Sequence, residues 1–135
     1  MFKRQPNKNL EVDTLIGAKT RINGNVEFSG GLHVDGYING DVSGELGTDT
    51  ILSVSEQGSI EGSVIVSQII LNGIVKGNIE ASGRVQLGKR ARVLGNVLYT
   101  VIETAVGAQI NGKLIHRANP GAGDSDAGPR EDPQL

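Results

Sequence analysis

The sequence predicts an all-β chain: a single narrow parallel β-helix of about six coils with disordered ends. Three observations predict it. A pentad of the form aliphatic-x-Gly-x-aliphatic recurs six times at near-constant spacing. Short alternating runs rich in β-branched residues lie between the pentads, bounded by Gly, Ser, Asn or Asp. The 135 residues include 20 glycines but only 3% aromatic residues, a composition suited to a thin core of Val, Ile and Leu.

Taken along the chain, residues 1–15 open on Met1-Phe2-Lys3-Arg4 and Pro6. Leu10, Val12 and Leu15 follow and suggest a partial strand. The pentads then run Ile22-Gly24-Val26, Ile38-Gly40-Val42, Ile60-Gly62-Val64, Val75-Gly77-Ile79, Val93-Gly95-Val97 and Ile110-Gly112-Leu114. Their start-to-start intervals are 16, 22, 15, 18 and 17 residues. The intervening runs are Leu32-His33-Val34, Ile51-Leu52-Ser53-Val54, Ile69-Ile70-Leu71, Val85-Gln86-Leu87 and Val101-Ile102. No window shows the sustained i, i+3, i+4, i+7 apolar face of a helix. A period near 18 residues fits a coil of three short faces, with coils stacking in parallel at ~4.8 Å. The pentad glycines either bend the chain at a corner or make room in a crowded interior.

Four Asn-Gly steps would each suit a hairpin, and an antiparallel meander is the competing fold. Glu61, Lys76 and Leu94 hold the slot before Gly in the other repeats, however, where a two-residue hairpin turn disfavours them. The long interval from Ile38 to Ile60 places a bulged loop at Gly44 to Asp49. The β-helix is expected over 16–116. Residues 117–135, rich in Gly, Pro and Asp, lack the apolar area to offset their ordering entropy.

Composition excludes several functions. A net charge of −2 gives no basic surface for nucleic acid. The chain has no cysteine, which removes thiolate chemistry and leans towards a reducing cytoplasm. Neither a signal peptide nor an apolar run long enough to span a membrane is evident. Gly83 to Arg90 approaches the phosphate loop G-x4-G-K-[ST], but Arg90 replaces the magnesium-binding hydroxyl and the patterning that follows is strand. No nucleotide, metal or other cofactor is expected. Lys89, Arg90 and Arg92 read as a basic corner. The enzyme alternative is a left-handed hexapeptide-repeat acyltransferase, which Ile16-Gly17-Ala18-Lys19-Thr20-Arg21 fits for one hexad only. His33 and His116 are the only histidines, and neither has an evident partner constellation. Asp35, Asp41, Glu61 and Glu80 fall on outward positions without an evident pair.

A β-helix has two open ends, each exposing an apolar slice and unpaired backbone groups that template pairing with other chains. No flank offers an amphipathic helix to cover them. Stacking on other copies is therefore expected through the terminal coils, at Ile16, Ile22 and Val26 and at Ile110, Leu114 and Ile115. A monomeric solenoid capped by its own flanks, serving as a binding module, is the alternative.

The repeated pentads over Ile16 to Ile115, the disordered flanks and the Met1-Phe2-Lys3-Arg4 opening closely resemble the bactofilins, bacterial polymer-forming cytoskeletal proteins. The resemblance implies a right-handed, three-sided β-helix that polymerises without nucleotide into non-polar filaments. It also implies association with the cytoplasmic membrane and scaffolding of cell-wall or cell-shape proteins. Met1, Phe2, Lys3 and Arg4 then read as a membrane-targeting motif. Each basic residue near anionic lipid contributes ~1 kcal/mol and burial of Phe2 ~2 kcal/mol. That is weak for one copy but multiplied along a polymer. The plainer reading is a solvated N-terminal segment.

Overall fold

The computed structural model describes residues 12–45 and 47–117. Strands among them run Thr14–Ile16 (β1), Arg21–Asn23 (β2), Val26–Phe28 (β3), Gly31–Val34 (β4), Tyr37–Asn39 (β5), Val42–Gly44 (β6), Ile51–Val54 (β7) and Ser59–Glu61 (β8). They continue with Val64–Leu71 (β9), Ile74–Lys76 (β10), Ile79–Leu87 (β11), Arg92–Leu94 (β12), Val97–Tyr99 (β13), Val101–Thr104 (β14), Gln109–Asn111 (β15) and Leu114–His116 (β16). Every pairing between them is parallel, which rules out the meander.

The strands stack in three ladders. The first is β1, β4, β7, the second half of β9, the second half of β11, and β14. The second is β2, β5, β8, β10, β12 and β15. The third is β3, β6, the first half of β9, the first half of β11, β13 and β16. One pass through the three makes a coil, and there are six. In the second ladder Ile22, Ile38, Ile60, Val75, Val93 and Ile110 are successive partners, so each pentad interval is one coil length.

Alternation turns every second side chain inward. Leu32, Leu52, Ile69 and Val85 stack along the first ladder, with Val34, Val54, Leu71 and Leu87 beside them, and all are buried. Val42, Val64, Ile79 and Val97 do the same on the third. The core is one continuous aliphatic column.

Length differences are absorbed at corners. The 22-residue coil sheds its surplus between β6 and β7, where the sequence placed a bulge. Thr50 at the end of that loop is buried and its side chain fills the space that a Cβ on Gly44 would need. Its hydroxyl accepts from the Ser67 amide at 3.1 Å, pinning the loop to the next coil. Between the first and second ladders the turn has four residues in coils one, three, five and six, and two in coils two and four. The short turns nest between the long ones: a Cβ on Gly73 would strike the carbonyls of Ser55 and Gly58.

The pentad glycines form a ladder of their own at the corner joining the second and third ladders. A Cβ on Gly62 would lie 2.5 Å from the carbonyl carbon of Gly40, one on Gly77 2.6 Å from that of Gly62, and one on Gly95 2.6 Å from that of Gly77. Backbone passes over backbone here, so a crowded interior is the reason for glycine. Gly24, in the first coil, is the exception, with nothing within 4 Å.

Candidate polymerisation surfaces

Both ends of the column are apolar. At the N-terminal end Ile16 is 6% exposed, while Ile22, Val26 and Phe28 are half-buried. These four and Leu32 line a shallow groove with Asp13 and Thr14. At the C-terminal end Ile102 and Ile110 are half-buried and Leu114, the inward partner of buried Val97, is 49% exposed. Sequence reasoning missed Phe28 and Ile102 as end residues: Phe28 sits at an alternate position from Val26, which it did place at the end, and Ile102 lies in the run it read at Val101-Ile102, beside an outward Val101.

Ile115 stands apart. It pairs with Leu98, which pairs with Glu80, and this row points outward. Ile115 is therefore on the flank of the rod, 43% exposed, and not in the interior slice with Ile110 and Leu114. Met1, Phe2, Lys3 and Arg4 lie outside the described residues.

Backbone polarity matters at the C-terminal end. Gly24, Gly40, Gly62, Gly77 and Gly95 each donate their amide to the coil above, at 2.9–3.0 Å. Val26, Val42, Val64, Ile79 and Val97 do the same at 2.8–2.9 Å. The equivalent amides of the last coil, Gly112 and Leu114, have no acceptor among the described residues.

A second corner ladder, which sequence reasoning did not find, runs beside the glycines. The Asn25 Oδ1 accepts from the Asp41 amide, Asp41 Oδ1 from Ser63, Asn78 Oδ1 from Asn96 and Asn96 Oδ1 from Lys113, all at 2.9–3.0 Å. In four coils the slot after the pentad glycine is thus an acceptor for the coil above, Ser63 being the interior exception. The ladder closes with Lys113, whose ammonium has no acceptor to offer.

The outward polar groups are cross-coil clamps. His33 has Nδ1 3.1 Å from Ser53 Oγ and Nε2 3.1 Å from Asp35 Oδ1, tying β4 to β7. A hydrogen bond from Ser55, with the His33 imidazole beside it, holds the Asp35 carboxyl below its ordinary value. The grouping has the members of a hydrolytic triad but spreads them over the outer surface of a sheet. Its geometry serves to join neighbouring coils. Glu61 pairs with Lys76 at 3.5 Å and accepts from Tyr37, whose phenol is pushed above its usual range by that bond. Glu80 pairs with Arg117 at 3.0 Å, and Arg90 with Glu56 at 3.7 Å. Gly83 to Leu87, the start of the near phosphate loop, lies in β11, and Gly88 to Ala91 turn directly into β12. Among the described residues no group of three or more His, Asp or Glu is placed to hold a metal, and no helix is long and apolar enough to cross a membrane.

The model of the bactofilin family, described as polymer-forming cytoskeletal, matches residues 14–115. BacO of Myxococcus xanthus is 33% identical over 105 residues, 78% of this chain and 80% of that protein. BacP of the same organism is 29% identical over 102 residues, 76% of this chain but only 41% of its own length. Among solved structures, the bactofilin of Thermus thermophilus, imaged by cryo-EM as double helical filaments, matches with a TM-score of 0.66 at 27% identity. That match covers 77% of this chain and 99% of the other. With the family model covering the whole β-helix, the chain belongs to the bactofilins, a family of polymer-forming cytoskeletal proteins.

Proposed function

We infer that the protein is a cytoskeletal scaffold whose subunits join end to end through their terminal coils, without nucleotide. One observation supports this above the others. The aliphatic column stops at a half-exposed Leu114 beside two amides, Gly112 and Leu114, that face the end without an acceptor among the described residues. A second copy would cover the apolar slice and supply acceptors. Ile16, Ile22 and Val26 at one end and Ile110 and Leu114 at the other are the contact residues in this reading. Lys113 ends the amide-acceptor ladder, which favours like ends meeting and so non-polar filaments.

The right-handed, three-sided winding, a cytoplasmic location at the inner membrane face and recruitment of cell-envelope or cell-shape factors belong to the same inference, by likeness to the family. Met1 to Arg4 would supply the membrane contact. Untagged protein in plain buffer should pellet and form narrow filaments in negative stain, and Leu114→Lys should leave a folded chain in the supernatant. A monodisperse wild-type monomer would refute assembly and favour a solenoid binding module. Phe2→Ala should release the polymer from anionic liposomes; unchanged co-sedimentation would remove the membrane motif.

A further inference from the structure

The chain holds four Asn-Gly steps, at Asn23, Asn39, Asn72 and Asn111. Glycine leaves its own nitrogen unhindered, so that nitrogen can attack the side-chain amide of the preceding asparagine when the backbone has freedom to bring them together. Three of the four steps are restrained. Gly24 and Gly40 donate their amides to Asn39 and Glu61 at 2.9 and 3.0 Å. Gly73 lies buried in a two-residue turn, wedged against the carbonyls of Ser55 and Gly58, with Asn72 packed under Gly88.

Asn111-Gly112 differs from Asn72-Gly73 in exposure, and from Asn23-Gly24 and Asn39-Gly40 in its glycine amide; Asn23-Gly24 is likewise exposed, on a strand paired only with β5. Asn111 and Gly112 are both exposed, β15 is paired on one side only, with β12, and the Gly112 amide has no acceptor among the described residues. Terminal elements of this kind open locally at little cost.

We propose that Asn111 is a self-modifying site at the open C-terminal coil, shielded when that coil is stacked on another copy. The Gly112 nitrogen attacks Asn111 Cγ. A bond forms between them, the bond from Cγ to Nδ2 breaks, and ammonia leaves with the proton lost by the Gly112 amide. Water then opens the resulting succinimide at either carbonyl, giving aspartate or isoaspartate. Water is the only co-reactant. Either product places a carboxylate at the rim of the apolar slice. Isoaspartate also adds a methylene to the backbone and shifts Gly112 off the carbonyl of Gly95, against which it packs. A free subunit thus ages towards a closed end, while a stacked one does not. The shielding rests on the end-to-end reading above; the modification does not.

The test is peptide mapping by mass spectrometry, with isoaspartate detection, on the full chain over time. Soluble Leu114→Lys protein is compared with pelleted wild type. In the soluble chain Asn111 should convert at least about tenfold faster than the other three sites, the factor expected from easier local opening. In the pellet it should slow to their rate. Equal rates at all four sites in the soluble chain overturn the site, and an undiminished rate in the pellet overturns the shielding. If wild type forms no pellet, the assembly reading fails while the ranking of sites still decides the modification. Asn111→Asp should pellet less than wild type and Asn111→Gln should not; wild-type pelleting of Asn111→Asp overturns the closed end.

Discussion

Gly77→Ala and Gly24→Ala are the same chemical change on the same ladder and should have very different costs. Both positions have positive φ, 157° and 141°, so the backbone penalty is shared and cancels in the comparison. What differs is space. A Cβ at Gly77 sits 2.6 Å from the carbonyl carbon of Gly62, whereas at Gly24 it meets nothing within 4 Å. Ordinary carbon contact begins near ~3.5 Å, so coils three and four must part by about 1 Å at that corner. The Gly62 amide bond to Lys76, 3.0 Å long, stretches out of range. Losing it costs ~1 kcal/mol, and overpacking adds ~2 kcal/mol. The resulting difference of about 3 kcal/mol should lower Tm by about 12–24 °C relative to Gly24→Ala in a domain of this size. Thermal unfolding followed by circular dichroism in the soluble Leu114→Lys background would measure it. Equal Tm values for the two variants would refute the claim that backbone crowding dictates the pentad glycine.

Leu71→Ala, fully buried between Val54 and Leu87, should destabilise the rod by about 3–4 kcal/mol in denaturant titration. The Asp35 carboxyl is held below its unfolded value by Ser55 and His33, so its contribution exists above the unfolded pKa and is lost as pH falls through the lower folded one. Stability should therefore decline below about pH 4, and Asp35→Asn should flatten that decline, as read from Tm against pH.

The coil was legible because its information is repeated. An inward Ile or Val every coil, locked to the same glycine, survives intervals from 15 to 22 residues, and even the surplus loop could be placed. The amide-acceptor ladder was not legible. Its donor and acceptor lie a coil apart, and its slot is held by Asn25, Asp41, Ser63, Asn78, Asn96 and Lys113, four residue types with no apolar signature. The clamps around His33, Glu61 and Glu80 were hidden for the same reason: their cross-coil partners Ser53, Lys76 and Arg117 are distant in sequence and adjacent only once the register is known. Leu114 and Ile115 show a third kind of failure. Both are apolar and terminal, but adjacent strand residues face opposite ways, so only one belongs to the end. The terminal slices themselves followed from the fold, since any untopped coil leaves its column open.

The loop between β6 and β7 adds chain to the circumference without lengthening the axis. Register above and below it is unbroken, with Val42 opposite Val64 as Val26 is opposite Val42. Cargo inserted there, such as an epitope or a small domain, would be displayed from the side of the rod and leave both stacking ends untouched. In the non-polar polymer inferred above the displays would alternate in spacing and repeat every two subunits, roughly 60 Å for twelve coils. The corner that accommodates irregular sequence is in this sense a mounting point, and its pitch is set by the number of coils.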